Sequence, residues 1–327
     1  MKKTTKKLIT LVAMVGILLG CIGCSKKKEG VLSVGIIQMV DNGAFTDMRE
    51  GFIAQLREQG YSEDQLEVTY KNAQGDATIL NTICQDFVDQ NMDLVVTIAT
   101  PPSQAMVNME SDIPVIFISV SNPVAAGIIS DMQKPDKNCT GTSNAIPVSD
   151  IFHLADQLTP GCETYGFIYN TSETNSVSTI TAAKEYLDSV GLSYKEVVVT
   201  NASEVQQAAE SLVGSVDAFF ISNDTVLQGA MPVVTEIARD AKIPVYGSSA
   251  VMVESGAFAT IAISDTEIGA ISADMAISYF EGKKIADIPA VVVPATSTVV
   301  NKTTAEALGI TFSEEIAAGL TFLEDAK

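Results

Sequence analysis

An α/β fold of two similar lobes, each built on a parallel sheet, is what this sequence predicts, and three observations support it. From residue 31 onward, short apolar runs alternate with helix-period segments, the pattern of βα units. The alternation breaks at Gly141-Thr142-Ser143-Asn144 and then begins again. The two series also echo each other. Asp93-Leu-Val-Val-Thr-Ile-Ala-Thr, a helix and Ile113-Pro114-Val115 correspond to Asp217-Ala-Phe-Phe-Ile-Ser-Asn-Asp, a helix and Ile243-Pro244-Val245. With 327 residues, 46% of them hydrophobic and 18% charged, the chain is long enough for two cores and too apolar to be disordered.

In chain order, the first segment stands outside that fold. Met1 to Lys7 carries four lysines, Leu8 to Gly20 is apolar, and Cys21-Ile22-Gly23-Cys24 follows. The apolar run is too short to span a bilayer core of about 30 Å as an ordinary helix, so residues 1–20 read as an export signal. Leu18-Leu19-Gly20-Cys21 has the form of a bacterial lipobox, which makes Cys21 the expected lipidation site and Cys24 the second choice. Residues 21–30, with Ser25-Lys26-Lys27-Lys28, are then a tether beside the outer face of the cytoplasmic membrane, held by the lipid anchor.

Val31 to Ile37 is the first expected strand, followed by a helix whose buried stripe is Phe45, Met48, Phe52 and Leu56. Leu66 to Tyr70 is the second, with Leu80, Ile83 and Phe87 on the helix after it. Leu94 to Ala99 and Val115 to Val120 are rich in Val and Ile, as strands covered on both faces are. After the break, Tyr165 to Tyr169 is a strand, and Ile180, Ala183, Leu187 and Val190 mark the next helix. Further strands are expected near 197–200, 218–222 and 259–263. Chain crossings between the lobes are expected near Gly141 to Asn144, Ile263 to Thr266 and Pro294 to Ser297. The first lobe would then comprise 31–143 with 266–294, and the second 144–265 with 295–327.

Composition excludes several function classes. Twenty basic against 40 acidic residues give a charge of −20, which opposes binding to a phosphate backbone, so no nucleic acid is expected. A single histidine, His153, lies near the start of an amphipathic helix and reads as a surface or core residue. That leaves no histidine for a metal centre or a nucleophile–base pair. Cys84, Cys139 and Cys162 have no metal-type spacing. Neither a phosphate loop nor a G-x-G-x-x-G follows a strand, so no cofactor, no metal and no enzymatic role are expected.

Ligands of parallel α/β sheets bind beyond the carboxyl ends of the strands. Here those ends read Gln38, Thr97 to Pro102, Ser119 to Pro123, Tyr169 to Ser176, Ser222 to Thr225 and Gly247 to Ser249. Hydroxyls and amides dominate, Glu173 and Asp224 are the acids, and none of these ends contains a basic residue. Each such residue also suits a helix cap whatever the function. As a set they suit a neutral or zwitterionic small molecule, with an ammonium on the acids and a carboxylate on hydroxyls and helix-start N–H groups.

The lipobox, the two-lobed body and the segments Thr100-Pro101-Pro102-Ser-Gln104-Ala105, Ser121-Asn122-Pro123-Val-Ala-Ala-Gly127 and Tyr169-Asn170-Thr-Ser-Glu173-Thr-Asn175-Ser176 resemble the ABC transporter substrate-binding lipoproteins of the TrpX type. The stretch from Phe258 to Asp265 and on to Val293 is similar to sugar-binding proteins of the type I periplasmic-binding fold. The resemblance covers residues 31–310. It implies lobes joined by a three-crossover hinge, a ligand closed between them and delivery to an ABC permease and, through it, an ATPase, with the binding protein a monomer. It also implies an amino acid ligand, aromatic or otherwise apolar; a sugar or nucleoside, or a sensor role toward a membrane kinase, are the alternatives. On that reading the ligand-binding residues are Gln38, Thr100, Pro101, Ser121, Asn122, Asn144, Tyr169, Asn170, Glu173, Asn175, Ser176, Asn223, Asp224, Thr225 and Ser248. Tyr169 would stack on the ligand side chain, Glu173 and Asp224 would take the amine, and Thr100, Ser121 and Ser176 the carboxylate. Asn122 and Asn144 stand where many relatives have Asp, which removes negative charge from the amine side.

Overall fold

The structure, a computed structural model, describes residues 30–325; the segment expected to be an export signal, Cys21 and Cys24 lie outside them. The first series runs β1 (Leu32–Gln38), α1 (Gly43–Glu58), β2 (Leu66–Asn72), α2 (Ala77–Asp89), β3 (Leu94–Ile98), α3 (Thr100–Val107), β4 (Val115–Ile118) and β5 (Cys139–Ser143). The second runs α4 (Val148–Leu158), β6 (Thr164–Asn170), α5 (Thr174–Val190), β7 (Ser193–Val199), α6 (Val205–Leu212), β8 (Ala218–Phe220), α7 (Thr225–Asp240), β9 (Val245–Tyr246), α8 (Ala250–Glu254) and β10 (Ala259–Ala262). The chain then returns to the first sheet with α9 (Asp265–Phe280) and β11 (Val291–Val292). It ends on the second with β12 (Ser297–Asn301), α10 (Lys302–Leu308), α11 (Glu314–Ala317) and β13 (Leu320–Leu323).

Two sheets result, ordered β11-β5-β4-β3-β1-β2 and β13-β12-β10-β9-β8-β6-β7. Every pairing is parallel except β10 with β12. The α/β class and the two parallel-sheet lobes expected from the sequence are thus present. The chain passes between the sheets at 144–147, 263–264 and 293–296. Apolar clusters cover both faces of each sheet. Val34, Ile36 and Val96 face α1 and α9, Ile37, Val95 and Phe117 face α2, and β6 and β8 are sandwiched in the same way.

The polar break at Gly141 to Asn144 needs correction, because Cys139–Ser143 is a fully buried strand between β4 and β11. Its hydroxyls have internal partners: Thr140 Oγ1 donates to the Ile288 carbonyl at 2.7 Å, and Thr142 Oγ1 meets Ser272 Oγ at 2.8 Å. Strands β9, β11, β12 and β13 were not among those expected either; they are short or lie late in the chain. No room exists for a side chain at Gly141, where a Cβ would stand 1.9 Å from the Phe117 carbonyl oxygen.

Helices α1 and α9 cross at two glycines. A Cβ on Gly51 would come within 2.3 Å of the Thr266 carbonyl oxygen, and one on Gly269 within 2.1 Å of that of Met48. This close approach brings the start of α9 beside the first turns of α1, at the edge of the space between the sheets.

The described cysteines are free thiols; Cys84 and Cys139 are buried, and burial pushes Cys84 up to about 12. His153 is exposed on α4 and meets the Tyr186 ring edge-on at 5.9 Å.

Candidate functional site

Strand ends from both sheets converge on one cavity. From the first lobe come Phe45 and Met48 of α1, Ala99, Thr100 and Pro101 at the start of α3, and Ser119 and Ser121 after β4; Asp265 stands where the chain crosses into α9, the helix packed on the first sheet. The crossing segment adds Asn144, and the second lobe adds Glu173, Asn175, Asn223, Thr225, Gln228 and Ser249. Parallel strand order makes this convergence unavoidable, since every βα turn lies on the same side of its sheet. Two lining residues are held at positive φ without being glycine, Ala99 at +73° and Ser119 at +63°. Such strain persists only where the surroundings enforce it. At Ala99 the enforcing contacts are its N–H on the Ile118 carbonyl at 2.9 Å and its carbonyl taking the Ser103 hydroxyl at 2.7 Å.

Helix α3 opens with Pro101 and Pro102 in its first turn, so two of its early backbone donors are missing. Its anion-binding capacity at the cavity rests on the N–H and hydroxyl of Thr100, with the serines after β4 beside it.

The acids behave differently from one another. Glu173 accepts the Thr225 backbone N–H at 3.1 Å with both carboxylate oxygens, and the Thr225 hydroxyl at 3.1 Å. Burial and the neighbouring Asp224 charge still hold its carboxyl well above the ordinary range. Asp265 is pushed up to about 7 by burial, then by the charges of Asp47 and Glu254. Among the described residues, no Lys, Arg or His lines the cavity to offset either carboxylate. The Oδ1 atom of Asn175 is buried there with no hydrogen-bond partner, as is Ser249 Oγ. Two acids and an orphaned acceptor around one space are an environment for a cation bearing several N–H groups.

Of the residues expected from the sequence, Thr100, Pro101, Ser121, Asn144, Glu173, Asn175, Asn223 and Thr225 line this cavity. Asn122 and Ser248 line an adjoining one, together with Ser121, Asn144 and Asn223. Five lie behind the walls. Gln38 is fully buried and accepts Arg49 Nη1 at 2.8 Å. The Tyr169 hydroxyl donates to Glu196 Oε2 at 2.9 Å, with Lys184 Nζ 5.7 Å from its ring centroid, so the ring is turned toward the β7 edge and away from the cavity. Asp224 is completely buried, and its oxygens take the N–H groups of Val226 and Leu227 at 3.0 and 3.1 Å, that of Asn170 at 2.7 Å and the Ser176 hydroxyl at 2.8 Å. Asp224, Asn170 and Ser176 therefore form one structural knot that fixes α5 and α7. The stacking role expected of Tyr169, the amine role of Asp224 and the carboxylate role of Ser176 do not fit these placements.

Ser119 and Ser249 belong to the strand ends read from the sequence but not to the expected ligand-binding set, and sequence reasoning missed Gln228 and, above all, Asp265. Asp265 did carry a signal, an acid opening a helix directly after the 259–263 strand, but it sat in a segment read as a crossing. Phe45 and Met48 had been assigned to a buried stripe, and they supply the apolar wall.

A family model described as ABC transporter substrate binding protein matches residues 33–321. A tyrosine-binding protein of Clostridioides difficile is 34% identical over 285 residues, covering 87% of this chain and 82% of that protein. An ABC domain from Streptococcus pneumoniae in complex with L-Trp superposes with a TM-score of 0.85 at 30% identity, covering 89% of this chain and 99% of the other. The ligand-free, open structure of a substrate binding protein with adhesive properties from Clostridium difficile gives 0.72 at 32% identity, covering 90% and 100%. The lobes and their connections are those of the type I periplasmic-binding fold.

Proposed function

Because the chain belongs to the family of ABC transporter substrate binding proteins, we propose that it captures an amino acid zwitterion between its lobes and delivers it to a membrane permease powered by an ATPase. The observation behind the ligand class is the pair of uncompensated carboxylates: Glu173 comes from the second lobe, Asp265 from the helix packed on the first, and the unpartnered Asn175 Oδ1 adds a third acceptor. A ligand ammonium satisfies all three, while its carboxylate meets Thr100 and the serines after β4. Relatives reported with L-Trp and as tyrosine-binding support an aromatic or other apolar side chain.

Residues 1–20 are an export signal, Cys21 carries the lipid, 21–30 are a tether, and the body works as a monomer on the outer face of the membrane. The lobes are 31–143 with 266–294 and 144–265 with 295–327.

Calorimetric titration tests the ligand class. Tight binding of an L-amino acid, with its desamino analogue at least tenfold weaker, is the expected result. A desamino acid or a sugar that binds as tightly would defeat it. Radiolabelled palmitate in cells should mark the wild type and not Cys21→Ser; label that survives there and vanishes in Cys24→Ser moves the site.

A further inference from the structure

Away from the cavities between the lobes, the first sheet is left partly uncovered at one edge. Strand β2 is the last in its order, and its residues facing α1 go from buried Leu66 to half-buried Val68 and Tyr70. The result is an open groove of about 650 Å³ between β2 and α1, with Ile53 on the helix side. Its two bases are already committed: Arg49 pairs with Glu50 at 3.1 Å and lies 4.2 Å over the Tyr70 ring, and Arg57 Nη1 donates to the Tyr61 carbonyl at 2.6 Å. Glu63, Asp64 and Glu67 also line the groove, and no ion pair between described residues engages them. The described chain starts at the foot of this groove, where Val31 is a lining residue and Gly30 turns at φ +83°.

We propose that the groove is the docking site of this chain's own basic segment, Lys26-Lys27-Lys28-Glu29. Its three lysines carry the charge that the groove lacks. Their stems cover Ile53 and Val68 while the ammonium heads reach Glu63, Asp64 and Glu67. The lengths agree, since four extended residues span about 13 Å, as does β2 from Leu66 to Tyr70. Exposed ion pairs are weak singly, but a segment joined to the groove through one turn meets it at an effective concentration of about a millimolar or more. Direction follows from the turn. With the chain reversed at Gly30, the docked segment runs from the Tyr70 end of the groove down to Val31, antiparallel to β1. On the lipid-anchor reading, on which this consequence rests, the anchor then leaves the body at the carboxyl end of β2. That is the end of the sheet where the ligand cavity lies, so docking turns the cleft toward the membrane.

The test uses the protein as cells make it, solubilised in a neutral detergent. Limited trypsin digestion, followed by intact mass, gives the rate of cutting after Lys26, Lys27 and Lys28. The wild type should be cut slowly. Neutralising the groove with Glu63→Gln, Asp64→Asn and Glu67→Gln together should raise the rate at least tenfold, as should about 1 M salt, which shortens the Debye length to about 3 Å. Thermal melting checks that the variant folds. In the wild type, a zero-length carbodiimide should also join one of the three lysines to Glu63, Asp64 or Glu67 within one chain. Equal cutting rates in wild type and folded variant, lysine cross-links found only between two chains, or a mature chain that begins after Lys28 would each overturn the docking. Amino acid titration of the same samples reads the proposed function separately, because none of the three acids lines the ligand cavity.

Discussion

Asp224 and Asp265 both stand where a strand gives way to a helix, yet they have opposite duties. Four donors already surround Asp224, so Asp224→Ala should unfold the protein more readily by a few kcal/mol, measured by urea denaturation, through loss of a cap and of a buried network. Asp265 is free to serve a ligand, and Asp265→Asn should weaken amino acid binding by about 1.5 to 3 kcal/mol, roughly 10- to 150-fold. Its titration has two readouts of defined sign. An ammonium needs the carboxylate, so with Asp265 near 7 in the free protein, affinity should fall as pH drops from 7.5 to 5.5, approaching about tenfold per unit for that group, and Asp265→Asn should flatten the slope. Folding runs the other way. The native state keeps a proton that the unfolded chain releases near 3.8, so the cost of the buried charge is absent below that value and complete above about 7. Wild type should therefore lose stability relative to Asp265→Asn as pH rises from 5 to 8; a difference independent of pH would contradict this. Local sequence could not separate the two aspartates, because each is an acid at a helix start. What separates them is the partner brought from elsewhere: Asn170 and Ser176 for one, Asp47 and Glu254 for the other.

Among the elements, β1, β3, β4 and the strand at Tyr165 were legible because their apolar runs are nearly continuous, and β2 because Leu66, Val68 and Tyr70 alternate with other residues. Strand β5 was not, since Cys-Thr-Gly-Thr-Ser has no apolar pattern and owes its place to hydroxyl partners 130 and 148 residues away. The same long-range dependence governs the α1–α9 crossing, which no local pattern announces. Gly269→Ala tests it. Alanine in a helix interior ordinarily stabilises by up to about 1 kcal/mol. Here it meets the Met48 carbonyl, and overpacking should destabilise by about 1 to 3 kcal/mol in chemical denaturation. Displacing α9 from α1 also moves Asp265 away from Phe45 and Met48, so amino acid affinity should fall although Gly269 touches no cavity. A stabilised variant with intact binding would show that the helices separate freely.

For the molecule as a whole, the lobes are drawn together. Asn42 Nδ2 donates to Gln228 Oε1 across the gap at 3.1 Å, Asn122 reaches Ser178 on another flank, and the superposition is closer on the L-Trp complex than on the open, ligand-free relative. Three short connections permit hinge bending, and two interlobe hydrogen bonds are a weak clasp. Scattering should therefore give a larger radius of gyration without amino acid than with it; equal radii under saturation would mean the clasp alone suffices. The doubling back of the chain has a further effect, on the order in which the protein can be assembled. Helix α9 and strand β11 pack with the first sheet but emerge only after strands β6 to β10 of the second. A nascent chain that has reached residue 143 thus exposes the apolar face of α1 and an unpaired β5 edge, and it must be kept from aggregating until about as many residues again have followed. Neither sheet is complete before residue 292 has emerged, so nearly the entire polypeptide has to be made before any part of it is protected.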